Sequence, residues 1–266
     1  MIDFYDHFLA YFVKRLGCTV LGVEYRLSPE HPFPAARDDC ESVLRALDKS
    51  KLEELGIEKL AVMGDSAGGN LSAVITRRLR EEKRIKCQVL IYPVTSVFSF
   101  SSSSYREYFS SCGGTALLNP FSMARWILFY LGVDATHENV NKVISSQHLP
   151  RGENKILDDL LREEQTTTKM KTDSKLCNAF LKGLHPDVSP LLAPDLQHLP
   201  PTMVLTAGID VLRDEGRLYA RRLEEAGVQV DAKHYPSAYH GIMNMPFSGV
   251  RRVMIRDIVD FLDKNL

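Results

Sequence analysis

Gly64-Asp65-Ser66-Ala67-Gly68 sets a serine between two glycines, with Gly69 following. The apolar run Lys59–Met63 comes directly before it, and after it Leu71, Val74, Ile75 and Leu79 recur at helical spacing. A Gly-x-Ser-x-Gly sequence at a strand-to-helix turn presents a serine hydroxyl on a strained bend, where side chains two residues to either side would collide. Ser66 is therefore a candidate nucleophile, and the N–H of Ala67 a candidate oxyanion donor. The competing reading of these glycines is a turn into a helix N-terminus that holds phosphate or nothing. A serine hydroxyl is a weak nucleophile at neutral pH, so acyl transfer needs a base and a group to orient it.

Two later loops offer them. The strand-like Thr202–Thr206 runs into Ala207-Gly-Ile-Asp210, which puts Asp210 beyond a strand's C-terminal end, where open α/β sheets bind their ligands. Asp210 also suits a helix cap. Its rival, Asp214, falls in the first turn of the next helix, where the helix dipole accounts for an acid. The strand Val228–Tyr235 leads into Pro236-Ser-Ala-Tyr-His240-Gly241, which makes His240 the candidate base. His7, His31, His137, His148, His185 and His198 do not follow a core strand, and His234 lies inside one.

The elements that must carry these residues alternate. A helix with Tyr5, Phe8, Leu9, Phe12, Val13 and Leu16 on one face ends at Gly17, and Cys18–Val23 then reads as a buried strand. A helix over about 35–55, the strand Lys59–Met63, a third helix and the strand Cys87–Tyr92 follow. After Thr202–Thr206 come a helix ending near Gly227, the strand Val228–Tyr235 and a last helix from about Val250. This alternation predicts an α/β fold with a mostly parallel sheet and helices on both faces. From about 95 to 200 the alternation lapses for far longer than an ordinary connection, which predicts a cap or lid insertion in a single domain spanning 1–266. That insertion opens on the serine-rich Ser99–Ser104 and holds an apolar helix over Phe121–Leu131. Its polar middle, Arg151–Lys175, reads equally as a mobile loop. Phe121, Trp126, Phe129 and Tyr130 are expected either to line an apolar pocket or to pack the cap onto the core.

Composition excludes several classes. With 33 Lys+Arg against 34 Asp+Glu, net charge −1, nothing favours nucleic acid or an anionic surface as partner. The uncharged apolar stretch Trp126–Val133 is under half of the roughly 18 residues a bilayer span needs. The N-terminus carries Asp3 and Asp6 where a signal peptide is basic. Cys18, Cys40, Cys87, Cys112 and Cys177 lack paired or zinc-like spacing and read as small core residues. No metal and no cofactor is called for.

Val23-Glu-Tyr-Arg-Leu-Ser-Pro-Glu-His-Pro-Phe-Pro-Ala35, Gly64-Asp-Ser-Ala-Gly-Gly-Asn70, Asp210-Val-Leu-Arg-Asp-Glu-Gly216 and Tyr239-His-Gly241 together resemble the hormone-sensitive-lipase-like branch of α/β hydrolases. The resemblance is strongest to the arylacetamide deacetylase and neutral cholesterol ester hydrolase group, and weakest in the cap. It implies an α/β-hydrolase fold and a carboxylic ester hydrolase with Ser66 as nucleophile, Asp210 as orienting acid and His240 as base. It further implies a His-Gly-Gly-Gly oxyanion loop, flanking strands and an endoplasmic reticulum membrane anchor upstream of Met1, so 1–266 is expected to be a piece of a longer protein or, as the second reading, a natural short isoform. One missing oxyanion donor costs about 10²–10³ in turnover, so low activity is expected of this piece alone. The substrate would be a small neutral apolar ester. Two other readings compete: a ligand-binding protein without turnover, as in the plant gibberellin receptors that resemble this family but lack the base, and a serine peptidase or amidase.

Overall fold

The computed structural model describes residues 5–110, 118–163 and 172–266. Along the chain run helices α1 (Asp6–Leu16), α2 (Ala35–Ala46) and α3 (Lys49–Glu54), strand β1 (Leu60–Asp65), α4 (Ala67–Arg78) and β2 (Ile85–Ile91). Among the described residues five helices follow without a strand: α5 (Ser103–Ser110), α6 (Pro120–Leu131), α7 (His137–Ile144), α8 (Lys155–Glu163) and α9 (Ser174–Phe180). Then come β3 (Thr202–Ile209), α10 (Arg213–Glu225), β4 (Val230–Tyr239) and α11 (Gly249–Asn265). The strands form one parallel sheet in the order β1-β2-β3-β4, with Gly64 opposite Leu90, Leu90 opposite Val204 and Val204 opposite Ala232.

Successive strand residues point to opposite faces, and the central strands are apolar on both because helices cover both. Val89, Ile91, Met203 and Leu205 pack with Phe8 and Phe12 of α1 and with Met254, Ile255 and Ile258 of α11. On the other face Leu90 and Val204 meet Ala73 of α4 and Tyr219, Ala220 and Leu223 of α10. Each layer thereby fixes the direction in which its strands emerge. The helices between β2 and β3 build a cluster of their own around Phe98, Leu128, Val143, Leu161 and Phe180, which reaches the sheet edge through Val211 and Leu212.

Several expectations need correction. Cys18–Val23 alternates half-buried and exposed residues and joins no strand among the described residues. β-Branched composition favours extended backbone, but a strand exists only where a neighbour completes its ladder. The helix expected over 35–55 breaks at Leu47-Asp48, where the Asp48 carboxylate accepts from Lys51 N–H at 2.8 Å and starts α3. Within the polar stretch 151–175, residues Lys155–Glu163 form α8, held by buried Leu157 and Leu161; residues 164–171 lie outside the described residues. On α6 the buried face is Met123, Ala124, Ile127, Leu128 and Leu131, while Trp126 is 55% exposed and Phe121 47%. Trp126 and Phe121 therefore lie outside the buried face of α6, while Tyr130 packs against the cluster, edge-on to Phe33 at 5.7 Å. Among the cysteines Cys87 is buried, Cys18, Cys40 and Cys177 are half-buried free thiols, and Cys112 lies outside the described residues.

Candidate active site

β1 delivers Ser66 to the C-terminal edge of the sheet. The Ser66 N–H donates to the Ile91 carbonyl at 2.9 Å, the last rung beside β2, and the chain then turns sharply at φ 55°, ψ −116°. An L-residue adopts that conformation only where its surroundings over-determine it. Here the Ser66 carbonyl accepts from Asn70 N–H (3.1 Å) and Val94 N–H (3.2 Å). The Asn70 side chain in turn donates to the carbonyls of Val94 (2.9 Å) and Val188 (3.0 Å). A Cβ on Gly64 would lie 2.2 Å from the Gly68 carbonyl oxygen, so that glycine is obligatory. Gly68 itself faces open space, and the second obligatory glycine is Gly69, whose Cβ would meet Pro93 at 2.9 Å. The expectation that a side chain at Gly68 collides is thus corrected: the crowding comes from the loop after β2, one residue further on.

Asp210 follows β3 and His240 follows β4, and both lie at the same edge as Ser66. His240 Nδ1 lies 2.9 Å from Asp210 Oδ2, and His240 Nε2 lies 2.9 Å from Ser66 Oγ. An ionised carboxylate only accepts, so Nδ1 carries the proton and Nε2 is left to accept from the serine hydroxyl. Asp210 is 6% exposed, and its other oxygen accepts from Leu212 N–H at 3.0 Å, so the carboxylate is held from both sides. The rival Asp214 is taken up elsewhere: it pairs with Arg213 (2.8 Å) and accepts from Ser104 N–H (2.7 Å), which ties α5 to the Asp210 loop. Ala67 is the first residue of α4, where a helix leaves N–H groups without internal partners and the dipole is positive.

Two groups escaped the sequence reading. Glu215 is fully buried on α10, and its Oε1 accepts from the N–H groups of Thr95 (2.6 Å) and Ser96 (3.2 Å). Those residues continue directly from Val94, which holds the Ser66 carbonyl, so Glu215 braces the wall of the elbow. Burial, with Asp210 adding to it, pushes its carboxyl up to about 8. On the other side Asp65 turns inward and accepts from Tyr5 Oη at 3.0 Å and Tyr92 Oη at 3.5 Å, and burial raises its carboxyl above the usual range. The Tyr92 ring lies 4.7 Å from the His240 ring. Only the aspartate in Gly64-Asp65-Ser66 hinted at this cluster; its tyrosine partners are 60 and 27 residues away. Among the described residues no group of three or more His, Cys, Asp or Glu is disposed to hold a metal ion.

With strands, helices and site in place, the chain belongs to the α/β-hydrolase-fold family, whose description matches residues 1–153 and 153–244. Bovine arylacetamide deacetylase is 32% identical over 282 residues, covering 98% of this chain and 69% of that protein. Bovine neutral cholesterol ester hydrolase 1 is 29% identical over 265 residues, covering 91% and 63%. Among solved structures, EstE1, a thermostable carboxylesterase from a metagenomic library, superposes with a TM-score of 0.70 at 28% identity, over 98% of this chain and 74% of its own. This is a carboxylesterase-like hydrolase of the arylacetamide deacetylase branch. Among the described residues no helix is long and apolar enough to cross a membrane.

Proposed function

We propose that this protein cleaves neutral, apolar carboxylic esters through an acyl-enzyme formed on Ser66. The observation that carries the reading is the line Ser66 Oγ, His240, Asp210, with both links at 2.9 Å. Ser66 Oγ attacks the ester carbonyl carbon as His240 Nε2 takes its proton. Asp210 holds the Nδ1 tautomer and steadies the imidazolium, and the Ala67 N–H meets part of the oxyanion. Collapse expels the alcohol with the proton returned from His240, and water then attacks the acyl carbon by the same route to free the acid. Residues of about 95–200 act as a cap within one domain spanning 1–266. Their contact with Val211 and Leu212 ties cap position to the Asp210 loop. The same family resemblance supports residence at the endoplasmic reticulum membrane, which fractionation of expressing cells tests.

Hydrolysis of a short aryl ester, compared with the matching anilide, tests the assignment. The expected result is faster ester cleavage, lost in Ser66→Ala. Faster anilide cleavage would favour an amidase, and turnover that survives Ser66→Ala would remove the serine from the mechanism.

A further inference from the structure

Between α10 and the strands β3 and β4 lies a cavity of about 250 Å³ whose lining shares no residue with the Ser66, His240 and Asp210 line. Its polar lining is Thr206, Arg217, Arg221, Glu224, Lys233 and His234, four basic groups against one acid. The concentration is notable in a chain of net charge −1. Alanines at 220 and 232 leave the space that longer side chains would fill.

What distinguishes the groove is that its arginines make no close ion pair, although the charge of Arg217 still acts on Glu107 and Asp214. On the same helix Arg213 is saturated by Glu107 and Asp214, and Arg222 by the carbonyls of Leu191 and Ala193. Arg217 and Arg221, one turn apart on α10, form no ion pair within 4 Å among the described residues. Lys233 is only loosely engaged, at 3.6 Å from Asp231. His234, from β4, has its Nδ1 3.0 Å from Thr206 Oγ1 of β3. Burial first, then the positive charges of Arg217 and Arg213 on α10, hold its proton affinity below the ordinary value, with Asp214 opposing them.

We propose that this groove binds a phosphate group, either on a small soluble molecule or on a lipid headgroup. Guanidinium forks match phosphate oxygens pairwise, and two of them a turn apart can grip one group from adjacent sides. Arg217, Arg221, Glu224 and Ala232 are exposed, so the groove is open and takes the phosphate while the rest of the ligand stays in solvent. A bound phosphate offsets the repulsion among Arg217, Arg221, Lys233 and His234, and dissolved salt screens that attraction, so binding weakens as salt rises. The inference does not depend on the esterase reading.

The test is a titration of the full chain with inorganic phosphate at low salt, following the His234 ring protons by NMR. A parallel arm sediments the protein with phosphatidylcholine vesicles, with and without phosphatidic acid. The expected result is a saturable shift of the His234 signal, with affinity at least tenfold weaker in Arg217→Gln/Arg221→Gln and in Lys233→Gln assayed separately. Aryl ester turnover should be unchanged in these variants. Sedimentation with the acidic vesicles, lost in the double variant, would assign the phosphate to a lipid; phosphate binding without sedimentation would assign it to a soluble ligand. No saturable response in either arm, or equal affinity in the variants, would overturn the proposal.

Discussion

Glu215→Gln separates charge from shape at the brace behind the nucleophile. The substitution keeps Oε1 as acceptor for the Thr95 and Ser96 N–H groups, sets an amide NH2 where Oε2 stood and removes the ability to ionise. Glu215 is 2% exposed, so an ionised form would hold its charge away from water. Its carboxyl is pushed from 4.5 up to about 8 by folding. Between those values the folded protein holds a proton that the unfolded chain has released, so stability is complete below pH 4.5 and falls as pH rises through the window. The loss is about a factor of ten in the folding equilibrium per pH unit up to pH 7, about 3 kcal/mol there, and levels off at about 4 kcal/mol by pH 8. Glutamine cannot incur it. Urea unfolding of both proteins at pH 5, 6, 7 and 8 should show the variant close to wild type at pH 5 and progressively more stable above it. A stability difference that stays constant across this range would refute the claim that a neutral carboxyl braces the elbow. Glu215→Leu, by contrast, strands two buried N–H groups at about 1–3 kcal/mol each and should lower both stability and turnover.

His148 is buried among Phe98, Phe100 and Phe180, and burial depresses it to about 3 against the opposing pull of the Val97 and Val143 backbone. The unfolded chain binds that proton first, so wild type should lose about tenfold in the folding equilibrium per pH unit as pH falls from 6.5 towards 3, while His148→Phe should not; parallel urea curves at pH 4 and 7 check this. Gly64→Ala and Gly69→Ala should fail to fold or melt far below wild type, because backbone and Pro93 atoms occupy the space, whereas Gly68→Ala should melt near wild type; thermal melts decide. Asp210→Asn should cut ester turnover about 10⁴-fold with little change in melting temperature, since it spoils the histidine tautomer and leaves packing alone.

The elbow was legible because its signal is local: strand, bend and helix occupy consecutive residues, and Leu71, Val74, Ile75 and Leu79 are buried as their spacing predicts. The fold class followed from the alternation of periods for the same reason. Features set by distant partners were not legible. Cys18–Val23 has strand composition but no neighbouring strand among the described residues, and nothing in its own residues records that. The crowding at Gly69 comes from Pro93, the buried state of Glu215 from the loop after β2, and the tyrosines on Asp65 from two other elements. The inward face of α6 was not legible for a simpler reason: Phe121 and Trp126 put apolar residues outside its buried face as well, so periodicity could not say which face turns inward.

The central claim is that the Ser66 hydroxyl is an activated nucleophile because His240 accepts its proton. Peptide mapping after treatment with a fluorophosphonate tests it most directly. The account predicts one stoichiometric adduct on the peptide carrying Ser66, formed at a rate that collapses in His240→Ala. Labelling at another serine, or at Ser66 with equal speed in His240→Ala, would contradict it.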